Sequence, residues 1–318
     1  MSPSLEEEAL SAWSSRWIAA DAPDVSARFR PSKPLDLGLT LMAFGSGPSQ
    51  KVRGQEAWRA TLTPDGPATL HLNHSENAVE LEAWGPGASW AARHAPELCG
   101  ETDDDSGFQP AHRALASARH RHPGLRMPRS LGVFEALVPT VIGQKVPTDA
   151  AHHSYRSLVM ALGTPAPGSF PMRVPPAAEV LARTPYWTFH RFGIERRRAE
   201  VIIRAARSAK RLEETASMDL ASARSRLEAF AGVGPWTAAK VAQVALGDAD
   251  AVPIGDYHLP HMVGFAFDGT SRSTDERMLE LLEPYRGHRA RVIRLLMLEG
   301  VSAPRFGPRM TLRDITGS

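Results

Sequence analysis

The sequence has 318 residues, of which 42% are hydrophobic and 23% are charged, and its formal net charge is +2. These values are typical of a globular chain of about two domains, and they exclude a fibrous or wholly disordered protein. No apolar run reaches the roughly 18 residues that a transmembrane helix needs, and the acidic start does not resemble a signal peptide. We therefore expect a cytoplasmic protein that makes no membrane contact.

Cys99 is the only cysteine, so it can form no internal disulfide, and a cluster ligated by several cysteines is excluded. We expect it to be a buried, unreactive thiol. Only five of the 37 basic residues are lysines. Arginine suits phosphate contact, although an ordinary solvated surface explains the same composition equally well. The histidine pairs lack a set of further ligands, so no metal site is expected.

In the first hundred residues, apolar and polar side chains alternate, which predicts half-buried antiparallel strands. The predicted strands are Trp58–Leu62, Ala68–Leu72 and Val79–Trp84, with a further strand at Leu37–Phe44. A helix is predicted over Ala88–Leu98. The acidic stretch Glu101–Gly107 is predicted to be an exposed loop.

From about Ala111 onwards, apolar residues recur every three or four positions, which predicts helices. The predicted helices are Phe134–Ile142, Ala150–Leu162, Ala177–Ala182, Arg197–Leu212, Met218–Phe230, Trp236–Ala245 and Thr274–Leu282. The fold class is therefore α+β. A small antiparallel-sheet domain over residues 1–110 precedes an all-helical core over residues 111–318, which can divide near residue 248 into two helical subdomains.

The stretch Leu227–Lys240 predicts two helices joined by a tight turn at Gly232-Val233-Gly234. Both glycines let the chain reverse sharply, and Pro235 suits the first turn of the second helix. Amide groups at such a helix start, up to Thr237, form an anion site that fits a DNA phosphate. Taken alone, the turn is more typical of an ordinary helical hairpin than of a DNA site.

An acid follows the hairpin at a defined distance, in the extended segment Val252-Pro253-Ile254-Gly255-Asp256-Tyr257. The whole pattern, Leu-x-x-Phe-x-Gly-Val-Gly-x-Trp-Thr-Ala followed by Pro-x-Gly-Asp-Tyr, resembles the helix–hairpin–helix DNA glycosylases. Within them it is most similar to bacterial 3-methyladenine DNA glycosylase II. The segments Ile142-Gly143-Gln144 and Pro123–Pro128 extend the resemblance, which spans about Leu37 to Gly300.

The resemblance implies a monofunctional glycosylase of base excision repair, which hydrolyses the N-glycosidic bond of alkylated purines such as 3-methyladenine and 7-methylguanine in duplex DNA. Asp256 would be the catalytic carboxylate, although an aspartate there could also cap a helix. Trp236 and Tyr257 would line the base pocket, because aromatic faces attract cationic bases; core packing is the alternative. Leu125 would be the wedge that fills the gap left by the flipped base, or else a buried loop anchor.

In bifunctional members, a lysine immediately precedes the Thr-Ala of the hairpin. Trp236 stands there in this sequence, so no lyase chemistry is expected. Lys240 stands one turn later, where the family has an aromatic residue, and its charge could repel a cationic base. Excision of oxidised or deaminated bases, or DNA binding without chemistry, are therefore the alternatives. The residues expected to contact DNA are Gly232, Val233, Gly234, Pro235, Thr237, Leu125 and Lys240.

No cofactor is expected, although the carbonyls of the hairpin could bind a monovalent cation, as the resemblance suggests. The expected partner is double-stranded DNA that contains a damaged base. A monomer is expected, because a DNA cleft of this kind needs no second subunit.

Overall fold

The computed structural model describes residues 22–304 of the chain. Its first part contains a five-stranded antiparallel sheet with the strand order β1-β5-β4-β3-β2. The strands are β1 Val25–Phe29, β2 Gln50–Arg53, β3 Glu56–Thr63, β4 Gly66–Ser75 and β5 Ala78–Trp84. The three strands predicted from alternation lie within β3, β4 and β5, which confirms them.

Helices dominate the chain after the sheet, so the predicted α+β class is confirmed. The helices are α1 Leu37–Leu41, α2 Ala88–Leu98, α3 Arg113–Arg121, α4 Val133–Ile142, α5 Thr148–Leu162, α6 Ala178–Arg183, α7 Tyr186–His190, α8 Arg196–Arg207, α9 Ala209–Glu213, α10 Leu220–Glu228, α11 Pro235–Val241, α12 Leu259–Asp268, α13 Asp275–Leu282 and α14 Arg289–Leu298. The helix predicted over Arg197–Leu212 is divided at Ser208 into α8 and α9.

The prediction of a strand at Leu37–Phe44 is wrong, because this segment forms α1 and then a short 3₁₀ turn. The Asp36 carboxylate accepts a hydrogen bond from the Leu39 amide at 2.9 Å and so caps the helix. Leu37 and Leu41 lie one helical turn apart, and both are buried against the sheet. Leu37 and Leu41 thus bury the same kind of apolar surface that the inward-facing residues of a strand would bury. The apolar pattern therefore did not distinguish a helix from a strand here.

One face of the sheet packs against α1 and α2 around a core of leucines, valines and alanines. Cys99 directly follows α2 and is buried in this core. Burial raises the pKa of the Cys99 thiol, and the nearby charge of Glu101 raises it further. The thiol therefore stays protonated, and the predicted buried, unreactive cysteine is confirmed.

The segment between α5 and α6 covers the opposite face of the sheet. Its ends pair as two short strands, β6 Thr164–Pro165 and β7 Arg173–Val174. Between them, Phe170 stacks on Trp58 of β3 with ring centroids 4.3 Å apart. The prediction that the chain after residue 110 is all-helical is therefore wrong at this connector. Its two ends pair as strands and so hold the connector on the sheet.

The helical part contains two hydrophobic cores. The first is built from α4 to α11 and the turn between α10 and α11. The second is built from α3 and α12 to α14, together with Phe108 and Leu125. The chain passes from the first core to the second at Ala251 and Val252. The hairpin therefore belongs to one core, and Asp256 lies just after the chain enters the other.

The prediction of an exposed loop at Glu101–Gly107 is wrong at Asp103, which is buried. Its carboxylate accepts two hydrogen bonds from the Arg291 guanidinium of α14, at 2.9 and 2.5 Å. Arg291 is buried as well, so the pair is an internal salt bridge that ties this loop to the last described helix. Three consecutive aspartates indicate solvent exposure, but a partner 188 residues away overrides that pattern here.

Candidate active site

The hairpin reverses the chain between α10 and α11 through two glycines, Gly232 and Gly234. The two differ in backbone conformation and in the space around them. Gly232 has a φ of +97°, and a Cβ added to it would lie 2.4 Å from Cγ2 of Val201 in α8. The turn therefore needs glycine at this position for both backbone and packing reasons. Gly234 has an ordinary φ of −95°, and an added Cβ would meet nothing within 4 Å. Its missing side chain leaves the outer side of the turn open.

Several backbone amides at the start of α11 have no acceptor. The first helical hydrogen bond runs from the Ala238 amide to the Gly234 carbonyl. Within residues 22–304, no hydrogen bond uses the amides of Gly232, Gly234, Trp236 or Thr237. Unsatisfied amides at a helix start carry partial positive charge and suit an anion such as a phosphate.

Two residues predicted to contact DNA turn inward instead. The side chains of Val233 and Thr237 are buried, and the Val233 amide donates to the Phe230 carbonyl at 2.9 Å. Gln144, which follows α4, donates to the Thr237 hydroxyl at 2.9 Å and to the Gly232 carbonyl at 3.0 Å. The side chains of Val233 and Thr237 therefore hold the hairpin together. For Val233, whose amide is also bonded, the predicted DNA contact is contradicted, whereas Thr237 keeps a free amide and its DNA contact stays a prediction.

Gln144 and Arg204 brace the hairpin, and neither contact was predicted. Arg204 of α8 donates to the Ala231 carbonyl at 2.7 Å, while Gln144 occupies the carbonyl of Gly232. A monovalent cation at the hairpin would thus have to use other carbonyls of the turn. The Ile-Gly-Gln motif ending at Gln144 was the only sequence signal for this arrangement.

Lys145, next to Gln144, is exposed and has a φ of +56°. A left-handed conformation costs a residue with a side chain about 1 kcal/mol, so it persists only where surrounding contacts fix it. Here the hydrogen bonds of Gln144 fix the preceding residue. Lys145 therefore carries an exposed side chain directly after a residue that contacts the hairpin.

Asp256 accepts three hydrogen bonds. Its Oδ1 accepts from the amides of His258 at 2.8 Å and Leu259 at 3.1 Å, and its Oδ2 accepts from Nε1 of Trp236 at 2.8 Å. The first two contacts cap the start of α12, which is the alternative role that the sequence left open for Asp256. The third contact joins the same carboxylate to the hairpin helix, so capping does not isolate it from the site.

The segment that carries Asp256 is fixed at both ends. Asp250 accepts hydrogen bonds from Nε of Arg289 at 2.8 Å and from Nη2 at 2.6 Å. Gly255, with a φ of +85°, donates its amide to Oδ2 of Asp275 at 2.9 Å. The carboxylate of Asp256 is therefore placed by contacts to α12, α13 and α14 as well as by the hairpin.

Trp236 and Tyr257 occupy different environments. Trp236 is partly buried, and its ring lies beside Gly143, where an added Cβ would be 3.7 Å from Cη2. Tyr257 is 79% exposed and meets the rings of His258 and His261 only edge-on. Core packing is therefore wrong for Tyr257, whose ring is free to meet a ligand. Two surface cavities of about 480 and 400 Å³ include neither residue in their lining.

Lys240 is partly buried and follows Trp236 by one turn of α11. Burial lowers the pKa of its amine, and the negative charge of Asp256 works in the opposite direction. Among the residues that the structure describes, no hydrogen-bond or ion-pair partner is assigned to this amine. A partly buried amine without a partner is suited to a ligand that brings its own acceptor.

Leu125 does not project as a wedge. It is 6% exposed and packs in the second helical core. Its loop is anchored by the Gly124 carbonyl, which accepts from the Asp36 amide at 2.7 Å. The alternative of a buried leucine that anchors its loop is therefore what the structure contains, and the prediction of a wedge at Leu125 is contradicted by its burial.

Metal-ligating side chains do not gather anywhere in residues 22–304: no three of the histidine, cysteine, aspartate and glutamate side chains there could share an ion. Nor does any helix in that part of the chain have the length and apolar character needed to cross a membrane.

No protein-family model matches the chain. Among curated proteins, it is 33% identical over 158 residues to the probable bifunctional transcriptional activator/DNA repair enzyme AlkA of Mycobacterium tuberculosis. The aligned region covers 48% of this chain and 30% of that protein. The match therefore concerns less than a third of the length of the relative.

Solved structures match most of the chain. The 3-methyladenine DNA glycosylase from Archaeoglobus fulgidus has a TM-score of 0.74 at 22% identity, covering 86% of this chain and 98% of that one. The Clostridium acetobutylicum 8-oxoguanine glycosylase/lyase, solved with double-stranded DNA, has a TM-score of 0.68 at 13% identity, covering 89% and 98%. The chain therefore has the fold of these DNA glycosylases, and about half of it is similar in sequence to part of AlkA.

Proposed function

We propose that the chain is a DNA glycosylase of base excision repair that hydrolyses the N-glycosidic bond of alkylated purines in duplex DNA. The observation that carries the proposal is the link between hairpin and acid: Nε1 of Trp236 donates to Oδ2 of Asp256 at 2.8 Å. The free amides of the turn form a site for a phosphate. The Asp256 carboxylate is held beside that site by Trp236. The likeness to AlkA and to solved glycosylases supports the same function.

In the proposed complex, the hairpin binds the DNA backbone and leaves the base sequence unread. The free amides at Gly232, Gly234 and the start of α11 point their partial charge at a phosphate. Pro235 begins the helix without an amide hydrogen, so it removes no donor that the helix itself would use. The damaged nucleotide then has to leave the stack, because its glycosidic bond is inaccessible inside the duplex.

Asp256 is the proposed catalytic carboxylate. When the bond between the sugar C1′ and the base nitrogen breaks, the base leaves with the bonding electrons and positive charge develops on the sugar. A fixed negative group nearby stabilises that charge, and water then adds to C1′ and releases a proton to solvent, which leaves a hydroxyl on the sugar. The three hydrogen bonds of Asp256 hold the carboxylate in place before the reaction, so little reorganisation is needed.

The proposed enzyme has no lyase activity. Bifunctional enzymes attack C1′ with an amine, and the position before Thr237 carries the indole of Trp236, whose N–H is used to hold Asp256. Water is therefore the proposed nucleophile, and the product is an intact abasic site. We expect no covalent adduct when borohydride is added to the protein and lesion-containing DNA. An adduct that disappears in Lys240→Met would identify the Lys240 amine as the nucleophile and contradict this part of the proposal.

Release of free base from methylated duplex DNA tests the central claim. Asp256→Asn keeps an oxygen that can cap α12 but removes the charge, so we expect release to fall by about 10²- to 10³-fold. Asp268→Asn, an exposed substitution at the end of the same helix, is the matched control. Unchanged release by Asp256→Asn would refute the catalytic role, and binding without release by the wild-type protein would favour a damage-binding module.

Excision of oxidised or deaminated bases is the second candidate, and Lys240 is the observation that favours it. Its amine has no partner among the described residues and suits a neutral base with carbonyl acceptors better than a cationic purine. A panel of duplexes with single lesions ranks the substrates. If Lys240 opposes cationic bases, Lys240→Met should raise release of 7-methylguanine relative to neutral lesions by roughly tenfold, equivalent to about 1.4 kcal/mol. Lys210→Met, at an exposed lysine, should leave the ranking unchanged.

A further inference from the structure

A cleft of about 400 Å³ opens between α8 and the segment joining α6 to α7. The α8 side contributes Ile203, Arg204 and Arg207, and the other side contributes Arg183 and Trp187. The cleft thus combines an aromatic ring with three arginines. The proposed glycosylase reaction uses none of these residues.

Trp187 presents its ring to solvent, with 62% of the residue exposed. Its ring meets Tyr186 edge-on, at a centroid distance of 5.3 Å and an interplanar angle of 81°. Tyr186 is itself covered by the guanidinium of Arg196, which lies 4.7 Å from the ring centroid. Tyr186 therefore supports one edge of Trp187, while the indole face stays available for stacking.

The arginines of the cleft have no carboxylate partners. Arg183, Arg204 and Arg207 are exposed, and none of them forms an ion pair within the described part of the chain. Glu200 is the acid in the lining, and its carboxylate is already paired with Arg196 at 2.7 Å. Three guanidiniums without a carboxylate partner, beside apolar lining residues such as Ile203, match a ligand that has negative charges on a partly apolar body.

The cleft and the hairpin share one contact residue, Arg204. Arg204 belongs to the lining of the cleft and also donates to the carbonyl of Ala231, directly before Gly232. Val201, one turn earlier on α8, lies beneath Gly232. The cleft therefore lies on the same helix that supports the hairpin, on the side of α8 that carries Arg204.

We propose that the cleft binds an unpaired nucleotide of the DNA held by the hairpin, with its base stacked on Trp187 and its phosphates on Arg204, Arg207 and Arg183. The inference rests on the proposed DNA binding and extends it. A base in a continuous duplex offers only its edges, because its faces are covered by its neighbours. An exposed indole between arginines is the arrangement that binds single-stranded nucleic acid without sequence preference.

The test compares affinity for a blunt lesion duplex with affinity for the same duplex carrying a short single-stranded extension at its 3′ or 5′ end. Fluorescence anisotropy should show tighter binding of one extended form by the wild-type protein. Trp187→Ala should weaken binding of that form by roughly five- to 150-fold, the effect expected from loss of one stacked base. Arg207→Ser should reduce the slope of log affinity against log salt by about 0.7 on extended DNA.

Trp90→Ala and Arg93→Ser on α2 are the matched controls, and both should bind extended DNA like the wild-type protein. Base release from blunt duplex should be unchanged in Trp187→Ala. If the wild-type protein releases no base but still binds extended DNA through Trp187, the proposed function fails and this inference stands. Equal affinity for blunt and extended DNA, or a Trp187-dependent dimer in sedimentation, would overturn it.

Discussion

At the scale of single residues, the two hairpin glycines separate folding from binding. Gly232→Ala places a methyl 2.4 Å from Val201 at a positive φ, so we expect the free energy of unfolding to fall by about 1–3 kcal/mol. Gly234→Ala places a methyl in open space, so stability should change little. That methyl would stand beside the free amides, and we expect roughly tenfold weaker binding of DNA.

Urea unfolding and anisotropy with a lesion duplex measure the two effects in the same pair of proteins. Gly269→Ala tests the backbone effect separately, because Gly269 has a φ of +76° and no neighbour within 4 Å of an added Cβ. Wild-type affinity in Gly234→Ala would show that phosphate does not approach that side of the turn. Wild-type stability in Gly232→Ala would mean that α8 yields to the added methyl.

The residues of the site differ in how far the sequence could predict them. The glycine turn and the distance to Asp256 lie within one local stretch, so their pattern was visible in the sequence. Gln144 and Arg204 reach the hairpin from 88 and 27 residues away, and only the folded chain brings them there. Leu125 was misjudged because an apolar residue in a loop fits a wedge and a core anchor equally well.

At the scale of secondary structure, the strands found from the sequence are the three central strands of the sheet. The burial of β3, β4 and β5 produces a clear alternation. β1 is an edge strand whose three central residues are exposed, so it offers no comparable pattern. The strand prediction at Leu37–Phe44 was wrong for another reason. The side chain of Asp36 caps a helix there, and the apolar residues alone did not specify that helix.

The ion pair that anchors α14 should make stability depend on pH. Burial on its own raises the pKa of Asp250, but the hydrogen bonds and charge of Arg289 outweigh it and hold that pKa below its ordinary value. The folded state therefore binds this proton more weakly than the unfolded state. Its contribution is present above about pH 4, the unfolded pKa, and is lost as the pH falls through the folded pKa.

Asp250→Asn should therefore lower the free energy of unfolding near neutral pH by about 2 kcal/mol and flatten its decline below pH 4. Urea unfolding at several pH values between 2.5 and about 7 measures this. Asp268→Asn removes an exposed carboxylate that also pairs with an arginine, and solvent screening should make its effect smaller. A parallel decline in wild type and Asp250→Asn would contradict the assignment.

At the scale of the whole molecule, the last described helix joins parts that are far apart in sequence. Arg294 donates to the carbonyls of Arg126 at 3.0 Å and Thr40 at 2.8 Å, which connects α14 to the loop before α4 and to α1. Arg291 and Asp103 add the buried salt bridge. The N-terminal sheet region and the second helical core are therefore tied together by charged groups as well as by apolar packing.

Removing both partners of the buried pair should cost less than the sum of the costs of removing each one alone. Asp103→Asn leaves the Arg291 charge without a counterion, so we expect a loss of about 3–5 kcal/mol in the free energy of unfolding. Arg291→Met leaves Asp103 with only the Met127 amide as a donor, at 3.0 Å, and should cost a similar amount. The double variant Asp103→Asn with Arg291→Met should lose less than the sum, because no unpaired charge is left in the interior.

Urea unfolding of the four proteins gives the coupling free energy, which we expect to be at least about 1 kcal/mol. Asp104→Asn is the control, since its carboxylate is exposed and is not a partner of Arg291. Base release by the folded fraction should be unchanged in all variants, because the pair does not contact Asp256 or the hairpin. Strict additivity of the single effects would show that the two side chains act independently. A loss of release without a loss of stability would instead mean that the pair also positions Asp256, through the contacts by which α14 holds Asp250.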